Sequence, residues 1–113
     1  MDIYSALATP TRRSILELIA TNEALSVSDI SEKFKISQPA ISQHLKILRE
    51  TKLVDMEKHA QKRFYTINVH TFLEIEDWIQ LVTKQWNERF DRLEVVLARE
   101  KKKLREGGEI NGK

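Results

Sequence analysis

SQPAISQHLKILRE, residues 37–50, is the stretch on which the fold turns. Ile41, Leu45 and Leu48 recur at steps of four and three, so one face of a helix is apolar. Pro39 suits a first helical turn, where its missing N–H costs nothing, and Ser37 stands where a cap belongs. The opposite face carries Gln38, Ser42, Gln43 and Lys46. The spacing predicts a helix over 38–51, buried on one side and polar on the other.

Upstream, SVSDISEKF (26–34) reads as a shorter helix with Val27, Ile30 and Phe34 turned inward. Only Lys35-Ile36-Ser37 separates the two. Two helices joined by a tight turn, the second longer and more basic, form a helix-turn-helix. Further upstream, ATPTRRSILELIA (8–20) starts a helix with Thr9 as cap and Pro10 in the first turn. Ile15, Leu16, Leu18 and Ile19 give it an apolar face, and Ile3, Tyr4 and Leu7 make a short amphipathic turn before it. Asn22-Glu23 ends that helix.

Downstream the period changes. Leu53-Val54-Asp55-Met56-Glu57-Lys58 alternates apolar with polar, and Arg63-Phe64-Tyr65-Thr66-Ile67 is aromatic and β-branched. Two such runs around His59-Ala60-Gln61-Lys62 predict a β-hairpin, a wing spanning 53–68. A tight type I′ turn favours Gly or Asn, so HAQK predicts a longer loop or another turn type. The fold class is therefore mainly α with a small β-hairpin, a winged helix-turn-helix.

From Val69 to about Arg105 the helical period returns. Phe72, Ile75, Ile79, Val82, Trp86, Phe90, Leu93 and Leu97 form a coiled-coil-like seam with one stutter at Trp86–Phe90. About 35 residues span roughly 50 Å, more than so small a domain covers with its own core. The surplus stripe predicts a long C-terminal dimerisation helix and a homodimer. The interface is assigned to Tyr4 and Leu7 from the first turn, and to Phe72, Ile75, Trp78, Ile79, Val82, Trp86, Phe90 and Leu93 from the last helix. Residues 1–106 form one domain, and GGEINGK (107–113) reads as a flexible tail.

With 113 residues, 41% apolar and 32% charged, the chain fits a single globular domain. No apolar run approaches the roughly 18 residues that span a bilayer, and MDIYSALATPTRR lacks the basic and apolar regions of a signal peptide. The absence of cysteine removes disulfides and thiolate chemistry, and allows a reducing cytoplasm. There is no Gly-rich phosphate loop, no G-x-S-x-G and no clustered His/carboxylate spacing, so neither an enzyme nor a cofactor is expected. The net charge is only +2, but residues 33–63 carry eight Lys/Arg against three Asp/Glu, whereas bases and acids balance from residue 69 onward. A basic middle predicts a polyanion partner at one place.

ALATPTRRSILELI and SQPAISQHLKILRE resemble the opening helix and the recognition helix of the ArsR/SmtB family of transcriptional repressors. The likeness covers about residues 3–68. It implies a homodimer joined by its first and last helices, a recognition helix in the major groove of double-stranded DNA, a wing near the minor groove, and repression relieved by a signal. Two recognition helices in a symmetric dimer predict a palindromic operator, and a cytoplasmic location is expected. By that resemblance Gln38, Ser42 and Gln43 read base edges, consistent with bidentate pairing of glutamine with adenine. Ser37, Lys35, His44, Lys46, Lys62 and Arg63 are assigned to the DNA backbone, with His44 either reaching phosphate or packing at the helix edge. Of Arg12 and Arg13, one anchors its helix by a salt bridge and the other touches DNA.

Relatives that detect arsenic or soft metals read E-L-C-V-C-D-L where this chain has Ala24-Leu25-Ser26-Val27-Ser28-Asp29-Ile30. Serine does not ionise near neutral pH and is a poor ligand for soft cations, so no thiolate sensor and no metal site is assigned. Instead Ser26 is expected to cap its helix, with Asp29 as capping-box partner. His70 and Glu74 leave open a regulator sensing metal through His/Asp/Glu ligands. A winged-helix protein-interaction module is the other alternative. The effector is open as well: a small molecule near Trp78, Trp86 and Tyr4, a protein, or none.

Overall fold

The computed structural model describes residues 1–107. The order is α1 (Ile3–Leu7), α2 (Pro10–Ala20), β1 (Leu25–Ser26), α3 (Val27–Phe34), α4 (Gln38–Glu50), β2 (Val54–His59), β3 (Lys62–Ile67) and α5 (Val69–Gly107). The chain divides into two compact units, Met1–Leu73 and the part of α5 from Glu74 onward. Beyond Gly107 the predicted tail lies outside the described residues.

The first unit is built around one core. Ile15 and Ile19 of α2, Ile30 of α3, and Ile41, Leu45 and Leu48 of α4 are almost fully buried, with Leu53 and Val54 closing it from the wing. Burying each such side chain contributes about 1.5–3 kcal/mol. The helical positions among them are ones the spacing of the sequence picks out, while Leu18, Val27 and Phe34, also expected on inward faces, are only half-buried.

The helix ends follow local chemistry. Ser26 Oγ accepts from the Asp29 N–H at 3.2 Å, and the Asp29 carboxylate accepts from the Ser26 N–H at 3.1 Å, completing the expected capping box. The Ser26 N–H, and after it the Ser26 hydroxyl beside the carboxylate, hold the Asp29 carboxyl below its ordinary value. Ser37 caps α4 by accepting from the Ala40 N–H at 3.4 Å. Thr9 occupies the N-cap of α2, but its side chain makes no capping bond, contrary to the sequence expectation; Pro10 still takes the first turn. Between α3 and α4, Lys35 adopts φ 54° and Ser31 Oγ donates to the Ile36 carbonyl at 2.5 Å. At the end of α4, Lys52 takes φ 62°, its N–H bonds the Arg49 carbonyl, and the Leu53 N–H bonds that of Leu48. This is a Schellman motif with lysine where glycine is usual.

The wing holds one strand more than predicted. Leu25 and Ser26 pair antiparallel with Tyr65 and Phe64, so the sheet order is β1-β3-β2. Two residues are too few to show a period-two pattern, which is why β1 escapes a sequence reading. The β2–β3 register runs from Val54↔Ile67 to His59↔Lys62, leaving a two-residue loop, Ala60-Gln61. The loop is therefore not longer than a tight turn. Ala60 has φ 56° while Gln61 stays out of the left-handed region, which excludes type I′, as expected from the residues.

Candidate nucleic-acid interface

The polar face of α4 is exposed along its length at Gln38, Ser42, Gln43 and Lys46. It does not stand alone. Ser42, Gln43 and Lys46 line a concavity of about 520 Å³ together with Arg63 and Tyr65 of β3 and Arg49 from the last turn of α4. The fold thus brings three predicted helix residues and one predicted wing residue onto a single surface. Arg49 was not singled out from the sequence, although the excess of positive charge in residues 33–63 includes it.

Other candidates fall around this surface rather than within it. Gln38 lies at the start of α4 and its amide donates toward Ser28 Oγ at 3.5 Å, a long contact. Lys35 sits in the turn, exposed, and Lys62 is exposed at the start of β3. Lys46 faces Glu50 at 4.0 Å, with both side chains about two-thirds exposed, a pair that contributes little. At the wing tip His59 meets Phe64 edge-on at 6.1 Å.

His44 is the exception among the helix candidates. It is half-buried, with Nδ1 3.5 Å from Arg12. Burial, and then the charge of Arg12, lower its pKa below the ordinary value of 6.5. A ring held neutral beside a guanidinium is a poor phosphate ligand. Of the two roles open to His44, packing is the one its surroundings favour.

The two arginines of the PTRR motif do not make the salt bridge expected of one of them. Neither forms an ion pair among the described residues. Arg12 is buried and donates to the Ala6 carbonyl at 2.7 Å and the Ser5 carbonyl at 3.3 Å, while Arg13 donates to the Leu7 carbonyl at 2.6 Å. Both arginines hold the end of α1 onto α2 through its orphan carbonyls. Spacing alone cannot show this, because a main-chain acceptor has no sequence signature.

The expected interface residues divide between the two units. Leu7 and Phe72 share an apolar cleft of about 310 Å³ with Leu16, Ala20 and Ile67, rimmed by Arg13 and Glu17. Tyr4 is largely exposed and Ile75 half-buried. Along the second unit, Trp78, Ile79, Val82, Trp86, Phe90 and Leu93 are all between 45% and 63% exposed, a continuous apolar stripe within this chain.

At the position of the family's cysteine pair, Ser26 is buried and committed to its capping box, and Ser28 accepts from Gln38. That donor set does not fit a soft cation. Among the described residues no group of three or more His, Cys, Asp or Glu is arranged to hold a metal, and no helix is long and apolar enough to cross a membrane.

A helix-turn-helix with a basic wing and an exposed polar recognition face defines the winged helix-turn-helix class of DNA-binding transcription regulators. Residues 9–55 match the family described as bacterial regulatory protein, arsR family. The transcriptional repressor SdpR of Bacillus subtilis is 32% identical over 78 residues, covering 69% of this chain and 86% of SdpR. The transcriptional activator HlyU of Vibrio cholerae is 42% identical over 66 residues, covering 58% of this chain and 60% of HlyU. The crystal structure of the ArsR family transcriptional regulator RHA00566 superposes with a TM-score of 0.68 at 26% identity, over 75% of this chain and 87% of that one. The chain belongs to the arsR family of bacterial transcription regulators.

Proposed function

We propose that the protein is a cytoplasmic, homodimeric repressor that binds a palindromic operator in double-stranded DNA. Gln38, Ser42 and Gln43 read base edges. Lys35, Ser37, Lys46, Lys62 and Arg63 hold phosphates, with Arg49 added to them. Two recognition helices related by a two-fold axis suit half-sites about one helical turn apart, roughly 34 Å. The observation that carries this reading is the shared concavity, in which Ser42, Gln43 and Lys46 of the recognition helix meet Arg63 of the wing.

Repression, rather than activation, is supported by the likeness to SdpR, which aligns over more of this chain than the activator HlyU does. Dimerisation is supported by the exposed apolar stripe on α5. The regulator does not sense soft metals through thiolates, because serines occupy both positions and one of them caps a helix.

Fluorescence anisotropy with duplex DNA from upstream of the protein's own gene, against a scrambled duplex, tests the reading. Replacing Gln38, Ser42 and Gln43 together by alanine is expected to abolish the preference for the true sequence while leaving salt-sensitive binding to both. Selective binding that survives the triple substitution would remove the base-reading assignment. If the five cationic side chains assigned here each hold a phosphate in both protomers, log K falls with log salt at a slope of about −9, and Lys62→Ala reduces that slope by roughly 2 per dimer.

A further inference from the structure

Arg12 reaches further than its place in α2 suggests. Two of its guanidinium nitrogens are engaged at α1: Nε donates to the Ala6 carbonyl at 2.7 Å, and Nη2 donates to the Ser5 carbonyl at 3.3 Å, with the Met1 sulfur at 3.9 Å. The third, Nη1, lies 3.5 Å from His44 Nδ1 on α4. His44 sits between Gln43, which lines the concavity, and Leu45, which is fully buried in the core. We propose that Arg12 is a positioning residue for DNA recognition: through His44 it ties α4 to α1, so that the placement of the reading face follows that of α1. This rests on the reading that Gln38, Ser42 and Gln43 contact bases. Gln43 and His44 are consecutive on one helix, so a turn of α4 that takes His44 off Arg12 carries Gln43 with it.

The chemistry of the link is one-sided. Arg12 is buried and its planar fork has fixed directions, so the two α1 carbonyls orient Nη1 before it meets His44. A guanidinium offers donors only, so Nδ1 of His44 has to accept, which requires a neutral ring with its proton on Nε2. Protonation removes that acceptor and sets two cations 3.5 Å apart. Burial, and then the charge of Arg12, already favour the neutral ring and hold its pKa below 6.5. The other charged groups of these helices are engaged elsewhere. Before α1, the Asp2 carboxylate accepts from the Ser5 N–H at 2.7 Å beside the Met1 amino group. On α2, Arg13 donates to the Leu7 carbonyl and Glu17 rims the apolar cleft. On α4, Lys46, Arg49 and Glu50 line the concavity.

Two roles for His44 predict opposite pH effects. A histidine that holds phosphate binds DNA more tightly once protonated. A histidine that accepts from Arg12 lets α4 go once protonated. Selective binding then weakens as pH falls from 6.5 through the lowered value of His44.

The test uses the full chain and duplex DNA from upstream of the protein's own gene, with a scrambled duplex as control. Fluorescence anisotropy is read at constant ionic strength from about pH 8 to about pH 5. Expected is a loss of affinity for the upstream duplex of about fivefold for each protomer engaged, the contribution of one hydrogen bond, with no loss for the scrambled duplex. His44→Asn keeps an acceptor and does not titrate, so it should match the parent in the neutral range and give a flat profile. His44→Phe keeps a ring without the acceptor and should be weakened about fivefold at every pH. Rescue by asparagine but not by phenylalanine is a result that packing alone does not produce. Nitrogen-15 spectra of the free chain, which has three histidines, report the His44 tautomer without DNA, and the expected form carries its proton on Nε2. A proton on Nδ1 would overturn the link, even where a variant fails to fold. So would parent-like binding by His44→Phe. A gain in affinity on acidification that His44→Asn abolishes would make the residue a phosphate contact instead. If the parent binds both duplexes equally, the base-reading assignment falls. The link is then judged by the tautomer and by the Ser5 and Ala6 amide signals, which should shift in His44→Phe; unshifted signals would overturn it.

Discussion

Replacing Arg12 by alanine tests how α1 is held onto α2. Arg12 is 7% exposed and donates to two α1 carbonyls, Ala6 at 2.7 Å and Ser5 at 3.3 Å. A hydrogen bond from a charged donor contributes about 1.5–3 kcal/mol, and a buried acceptor left unpaired costs a comparable amount. Counting the short bond in full and the longer one in part gives a loss of roughly 3 kcal/mol, a little over 100-fold in the folding constant. At a urea dependence of about 2 kcal/mol per molar, the midpoint falls by roughly 1.5 M. The assay is urea unfolding followed by far-ultraviolet circular dichroism, at one protein concentration because any self-association adds to apparent stability. Arg13→Ala is the internal control. It removes an equally short bond to α1, to the Leu7 carbonyl at 2.6 Å, but at an exposed site where water replaces the donor. Its loss is expected below about 1 kcal/mol. Arg12→Lys should recover about half of the alanine loss, because a compact ammonium cannot fork between two acceptors as a guanidinium does. An Arg12→Ala midpoint within experimental scatter of the parent, or an Arg13→Ala loss equal to it, would refute the claim that burial sets the value of these bonds.

Other substitutions test the local chemistry. Ser26→Ala removes the cap of α3 and is expected to cost about 1 kcal/mol in the same unfolding assay; Ser28→Ala, which touches only Gln38 at 3.5 Å, should cost less. Lys52→Gly and Ala60→Gly each relieve a left-handed residue at φ 62° and 56° and should raise stability by about 0.5–1 kcal/mol, seen as a higher midpoint. The lowered pKa of His44 means that the folded state binds its proton less readily than the unfolded chain does. Stability from this residue is therefore complete above pH 6.5 and is lost as pH falls from there through the lowered folded value. Unfolding midpoints at pH 5 to 8 should show that decline, and His44→Asn should flatten it.

Much of this architecture is legible in the residues, and the reasons differ by element. Ile41, Leu45 and Leu48 are found because a helix must bury one face, so the apolar period survives any detail of the tertiary contacts. The Ser26–Asp29 box is found because both partners lie within one turn. What the sequence conceals is long-range or main-chain. Leu25 and Ser26 become a strand only because Tyr65 and Phe64 arrive beside them, forty residues later in the chain. One of Arg12 and Arg13 was expected to form a salt bridge, and both instead donate to carbonyls, which every residue possesses. Arg49 joins the candidate surface because the last turn of α4 passes beside β3, a proximity that no spacing rule within α4 reports.

The serines of ALSVSDI connect fold and function most directly. Ser26 sits in β1, ends it, and starts α3 through bonds in both directions with Asp29. A hydroxyl oxygen accepts the Asp29 N–H well, whereas thiol sulfur is a weak acceptor. The same hydroxyl is a poor ligand for a soft cation. In this chain the cap is formed, the strand pairing places Ser26 in the sheet, and α3 is fixed at its start without any metal. The turn into α4 is held in its own right, by Ser31 Oγ donating to the Ile36 carbonyl and by Ser37 capping α4. The helix-turn-helix is thus fixed at both helix starts by hydroxyl groups of its own chain.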